Sequence, residues 1–358
     1  MKMKRIFGIS LAVILGMSTV LTGCGGSADT TADTDSSETT ETEENSSSEL
    51  TKVVALGEFD PQISGQQIIA REKGFFEEEG LDVDLQLLTD PSVSTTMIAS
   101  GEAQFYSVSN YQAINLVDKG TEVCLLAPVV NAGNTQVVVA GPNLEITSAK
   151  DLEGKKMGYT DGAGVIVAVI NMCEDLGVDY DSIQLVNLQA SDMLASLESG
   201  QIDFFAAWEP WGIKAEEEAD GTVLFTGTKS YLPENTGDVD WLNFMVAIDA
   251  SKSFVEENPE AAQAYVSAMI KATDYINENM EECAEIIADQ INLDKDTCVK
   301  IMEKNEYKVA YDETFKTAGE ELAQYMLDSG LNTSLVTFDQ YANTEILKAV
   351  DPSKVTVE

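Results

Sequence analysis

The chain contains no histidine and only two arginines, Arg5 and Arg71. Without histidine it lacks the usual general base near neutral pH, any Ser-His-Asp or Cys-His nucleophile, and imidazole as a metal ligand. Carboxylate-pair chemistry stays open, so enzymes are weakened as a class and not removed. Arg71 falls well inside a predicted helix, which argues against a bidentate guanidinium clamp on a sulfonate or carboxylate. Basic residues are few altogether: 21 stand against 62 acidic ones, for a formal net charge of −41 over 358 residues. Such a surface repels nucleic-acid phosphates and anionic headgroups, so no nucleic acid is expected as a partner. We read the charge as a solubility trait of a secreted protein. The body holds no Gly-rich nucleotide loop, nucleophile elbow or metal-ligand spacing, and no cofactor or metal is expected.

Long apolar runs are also scarce. One, Ile6 to Val20, follows Lys2, Lys4 and Arg5 and ends in Leu21-Thr22-Gly23-Cys24. A charged start and a short apolar stretch make a secretory leader, too short for a comfortable membrane span. The L-T-G-C ending of the 1–24 leader resembles a bacterial lipobox, which implies lipidation of Cys24 and cleavage just before it, so that Cys24 becomes the first residue of the mature chain. Residues 25–50 have no base and no aromatic residue, a composition that cannot support a core. They read as an acidic Ser/Thr tether with a reach of roughly 25–30 Å. Of five cysteines, Cys124 and Cys173 sit in core-like runs. Cys283 and Cys298 flank a helix-loop-helix pattern, where a disulfide is chemically open to a chain outside the cytoplasm.

From Thr51 onward, β-branched runs alternate with helical periodicity. TKVVALGEF reads as a strand, SGQQIIAREKGFFEEEG as a helix ending at Gly80, and LDVDLQLL as a strand. SVSTTMIASGEA, AQFYSVS, YQAINLVDKG and EVCLLAPVV continue helix, strand, helix, strand. The order then returns, with KKMGYT, GAGVIVAVINMCEDLG, SIQLVNL, SDMLASLESG and IDFFAAW. Ser100, Gly101 and Phe105 lie 99 residues before Ser199, Gly200 and Phe204. That period is too long for a solenoid and suits two similar α/β lobes with parallel strands. NFMVAIDA is a last strand, and the remainder is mainly helical.

Four segments in this order, IIAREKGFFEEEGLDVDL, ASGEAQF, SAKDLEGKKMGYTDGAG and LESGQIDFFAAWEPW, resemble the substrate-binding proteins of ABC transporters of the nitrate/sulfonate/taurine type. The resemblance implies an α/β, type II periplasmic-binding-protein fold: two doubly wound lobes, two crossover segments and a central ligand cleft. It implies a small organic solute, an ABC permease and its ATPase as partners, and no chemistry on the ligand. The expected organisation places lobe 1 at 51–138 and 243–358 and lobe 2 at 139–242, with crossovers near 131–142 and 238–248. A monomer held outside the cytoplasm by its lipid is expected.

In open α/β sheets, ligands sit beyond the carboxyl ends of strands and beside helix N-termini. After the first strand these are Glu58, Phe59 and Asp60, with Gln62 following. After AQFYSVS they are Ser109 and Asn110, and their counterparts in the second lobe are Trp208 and Glu209. The turn Thr160-Asp161-Gly162-Ala163 opens into a helix, either as a plain N-cap or as a dipole-based grip on the ligand. Asn134 and Trp241 complete the set from the crossovers, and Tyr111 and Trp211 are further aromatic candidates. This acidic and aromatic set favours an amine or amide donor on a flat or apolar body. A taurine-like zwitterion or a pyrimidine-type heterocycle fits better than bare nitrate. Two alternatives stay open: an enzyme using Glu209 as acid or base, and a receptor that passes its closed state to a sensor.

Overall fold

The computed structural model describes residues 50–88, 93–161 and 163–357. The expected leader with Cys24, the tether up to residue 49, and Gly162 lie outside the described residues. Among the described residues no helix is long and apolar enough to cross a membrane.

The strands are β1 (Thr51–Glu58), β2 (Leu81–Leu88), β3 (Phe105–Ser109), β4 (Val123–Asn131), β5 (Gln136–Ala140), β6 (Lys156–Tyr159) and β7 (Gln184–Asn187). They continue as β8 (Phe204–Trp208), β9 (Thr222–Thr226), β10 (Lys229–Leu232), β11 (Asn235–Asp238), β12 (Met245–Ser251) and β13 (Glu306–Tyr307). Two mixed sheets result. The six-stranded first has the order β13-β4-β12-β3-β1-β2, and the seven-stranded second the order β11-β10-β9-β5-β8-β6-β7.

The repeat seen in the sequence is a repeat of position. β3 and β8 begin at Phe105 and Phe204, both fully buried. Each has a parallel neighbour on one side, β1 or β6, and an antiparallel one on the other, β12 or β5. The helices before them, Ser94–Ser100 and Met193–Glu198, are followed by Gly101 and Gly200 at φ 76° and 70°. Only glycine takes that left-handed conformation without steric cost, so the chain turns there into the next strand.

Each sheet also takes in the strand that follows a crossing of the chain. β5 follows residues 132–135, and β12 follows residues 239–244. The border expected at 138/139 therefore falls inside β5, all of which pairs in the second sheet. The sequence reading assigns no strand to 222–238, where β9, β10 and β11 lie. Their short, polar runs, with Gly227 and Gly237 among them, carry little alternation.

The helices after β12 pack onto the first sheet and its helices. In that core, the ring of Phe105 stacks on Tyr265 at 3.9 Å between centroids. Burying such a ring stabilises the fold by about 1.5–3 kcal/mol. Cys283 and Cys298 are buried and free, so the disulfide left open by the sequence is not formed.

Candidate functional site

Parallel strands send their carboxyl ends to one edge of a sheet, and the two sheets bring those edges to a shared cavity of about 210 Å³. From the first lobe, β1 ends in Glu58, and Asp60 caps the helix Pro61–Glu72, placing Gln62 and Ile63 on the wall. β3 ends in Ser109, the N-cap of the helix Asn110–Asp118, which brings in Tyr111 and Gln112. The second lobe supplies Trp208 at the end of β8, Gln136 at the start of β5, and Ala163 and Gly164 before the helix Ile166–Leu176. Phe244, on the returning crossover, completes the lining. A Cβ at Gly164 would stand 3.0 Å from the Phe244 ring and 3.9 Å from Tyr111 Cβ. Glycine is what lets this turn approach the opposite wall.

Two carboxylates face the cavity, and no lysine or arginine lines it among the described residues. Glu58 Oε1 accepts a hydrogen bond from the Tyr106 hydroxyl at 2.7 Å. Burial raises the pKa of Glu58, and the bonds from Tyr106 and Gln112 partly oppose that rise. Asp60 Oδ1 accepts from the backbone N–H groups of Gln62 at 2.7 Å and Ile63 at 3.4 Å. Its pKa is nevertheless pushed up to about 7, chiefly by burial, with the negative charge of Glu58 adding to the rise. Burial likewise pushes the Tyr111 phenol up to about 12. The cavity thus offers acceptors with negative charge beside aromatic faces, a setting that attracts N–H donors and cations.

Of the residues expected from the sequence, Glu58, Asp60, Gln62, Ser109, Tyr111, Ala163 and Trp208 line this cavity. The others are placed elsewhere. Phe59 is half exposed, turned away as the chain enters the helix. Asn110 is buried, its Oδ1 taken by the N–H of Tyr111 at 3.0 Å. Asn134 Oδ1 accepts from the Thr226 hydroxyl at 2.9 Å. Thr160 donates to the Leu188 carbonyl at 3.0 Å, and Asp161 is exposed with its N–H on Asn187 Oδ1 at 3.2 Å. Neither of these two caps the following helix, whose N-cap is Val165.

Glu209 and Trp241 need the largest corrections. The Glu209 carboxylate is fully buried away from the cavity, accepting from the Ile213 N–H at 2.9 Å and pairing with Lys304. It holds the start of the helix Trp211–Glu218 and does not line the cavity. Trp241 packs edge-on against Phe225 at 5.1 Å, and its indole N–H donates to Asp175 at 3.1 Å. That places it beside a separate cavity behind the crossovers. Trp211 packs with the core of the second lobe, and the Lys214 ammonium lies 4.8 Å over its ring. Ile63, Gln112, Gln136 and Phe244 were not foreseen. A capping-box spacing from Ser109 marks Gln112 in the sequence, but nothing local marks the other three. Among the described residues no cluster of acids or cysteines is arranged to hold a metal ion.

The family model described as NMT1/THI5 like matches residues 62–283. The chain belongs to this family. YtlA of Bacillus subtilis is 26% identical over 301 residues, covering 80% of this chain and 86% of that one. The formylaminopyrimidine-binding protein of Halalkalibacterium halodurans is 27% identical over 220 residues, 61% of this chain and 64% of its own length. Among solved structures, the periplasmic aliphatic sulphonate binding protein SsuA from Escherichia coli superposes with a TM-score of 0.69 at 15% identity. That match covers 82% of this chain and 96% of SsuA. At such identity the likeness speaks for the fold, which is the two-lobe periplasmic-binding-protein architecture. The cavity of this NMT1/THI5-like chain lies between its two sheets, where that architecture has its cleft.

Proposed function

We propose that this chain is a solute-binding lipoprotein held outside the cytoplasm by lipidated Cys24, which captures a small organic solute between its lobes and delivers it to an ABC importer. The lobes close on the solute by rotation about the two crossovers, and the protein works as a monomer without altering what it carries. The observation that carries the choice of solute is the pairing of Glu58 and Asp60 in a cavity with no basic side chain among the described residues. A bare oxyanion entering there meets two carboxylates and no counter-charge. A solute with amine or amide N–H groups meets acceptors instead, and Trp208, Tyr111 and Phe244 supply faces for a flat body. The Halalkalibacterium relative, named for a formylaminopyrimidine, supports the heterocycle reading. A taurine-like zwitterion fits through its ammonium group.

Thermal-shift screening tests this directly. We expect 4-aminopyrimidine or taurine to raise the melting temperature in a saturable way, and nitrate and methanesulfonate to leave it unmoved. Stabilisation by the two simple oxyanions alone would sink the proposal.

A further inference from the structure

Gln136 stands at the start of β5, directly after the first crossing, opposite Trp208 on β8. Its carbonyl accepts from the Gly227 N–H at 3.1 Å, so its backbone is held in the sheet. Its side chain lines the cavity, and the residue is only 4% exposed. Yet its amide has no hydrogen-bond partner among the described residues. The other buried glutamines each donate to a backbone carbonyl, although Gln66 and Gln67 leave their Oε1 unpaired. Gln62 donates to the Glu209 carbonyl at 3.2 Å, Gln66 to the Val129 carbonyl at 2.8 Å, and Gln67 to the Leu56 carbonyl at 3.1 Å. The Gln136 amide opens onto the cavity, so what enters that cavity is what can supply its hydrogen-bond partners.

We infer that Gln136 is the specificity-determining residue of this cavity, reading a ligand edge on which a hydrogen-bond donor and an acceptor sit side by side. The inference rests on the solute-binding reading above and deepens it. A primary amide presents a carbonyl oxygen next to an NH₂ group, and it matches a donor–acceptor edge whichever way it is turned. An amino group beside a ring nitrogen is such an edge, and so is a lactam. A plain amine offers donors only and a sulfonate acceptors only, so each satisfies half of the amide. Glu58, on the first lobe, takes a further N–H, because a carboxylate that already accepts from Tyr106 and Gln112 keeps acceptor capacity. The Trp208 ring, on the neighbouring strand, provides a face for the same flat body.

Isothermal titration with two probes separates the roles. 4-Aminopyrimidine has the donor–acceptor edge, and benzylamine has donors alone. Gln136→Leu is expected to weaken 4-aminopyrimidine about tenfold to a hundredfold, and to leave benzylamine within about twofold of wild type. Gln136→Glu replaces the amide donor by a second acceptor. It is expected to bind benzylamine more tightly than wild type while losing 4-aminopyrimidine, a gain that damage to the fold does not produce. The inference is overturned, with the solute-binding reading left standing, when both variants bind both probes as wild type does. When wild type binds neither probe the inference is overturned, and the solute-binding reading falls with it when taurine also fails to bind.

Discussion

The carboxyl of Asp60 caps the helix Pro61–Glu72 and also faces the cavity beside Glu58. Its pKa of about 7 follows from burial first and from the Glu58 charge next. A cation entering the cavity favours the ionised form and so lowers that pKa. Binding near pH 7 then expels protons, and affinity for benzylamine falls as pH drops from 8 to 6 and Asp60 takes up its proton. Titrations at pH 7 in phosphate and in Tris, whose ionisation heats differ, measure the protons released. Zero release would remove Asp60 from the binding equilibrium. Asp60→Asn keeps a good N-cap and is expected to flatten the pH dependence. Glu58, Asp60 and Ser109 were legible in the sequence because they end strands and start helices. Gln136 and Phe244 were not, since their place on the wall is set by where the crossovers run, and no local pattern encodes that.

Two ion pairs join the lobes where the helix Trp211–Glu218 of the second faces the helix Lys295–Met302 of the first. One lies between the helices themselves, the other between Glu209 just before the former and Lys304 just after the latter. Lys300 meets Glu217 at 2.6 Å with both side chains about half exposed, so this pair is worth little. Lys304 meets Glu209, whose carboxylate is fully buried and whose backbone carbonyl accepts from Gln62. Removing Lys304 leaves that carboxylate with the Ile213 N–H and no counter-charge. Lys304→Met should cost about 3–5 kcal/mol in urea unfolding, and Lys300→Met less than about 0.5 kcal/mol. Equal losses would show that burial of Glu209 does not set the difference. The tertiary pairing of Glu209 explains why its alignment with the end of β3 misled: the strand positions repeat, but the side chain after Trp208 is claimed by a lysine nearly a hundred residues later. The strand–helix order itself was readable, since its periodicity is local. The antiparallel β9, β10 and β11 were too short and polar to show it.

For the molecule as a whole, everything that joins the two sheets covalently passes through residues 132–135 and 239–244, and these segments lie backbone on backbone. Ala132 donates to the Phe244 carbonyl at 2.8 Å, and Gly227 donates to the Gly133 carbonyl at 2.9 Å while accepting from Leu242 at 2.8 Å. Asn131 Nδ2 reaches Asn243 Oδ1 at 2.8 Å. A Cβ on Gly133 would come 2.3 Å from the Leu242 carbonyl oxygen, a backbone atom that no rotamer change can move aside. Gly133→Ala must therefore spread the crossovers, at a cost of about 1–3 kcal/mol typical of overpacking. On the proposed closure the same strain weighs on the state in which the lobes meet, because there the crossovers and the Glu209–Lys304 contact must form together. A ligand shifts the balance only by its differential affinity, so a variant biased toward separated lobes loses apparent affinity in proportion to the closed fraction it gives up. We expect Gly133→Ala to lower the urea midpoint, to enlarge the radius of gyration measured by small-angle scattering without ligand, and to recover the wild-type radius at saturating 4-aminopyrimidine. A variant that loses stability yet keeps the wild-type radius throughout would make Gly133 a packing residue alone and take the crossovers out of the closing motion.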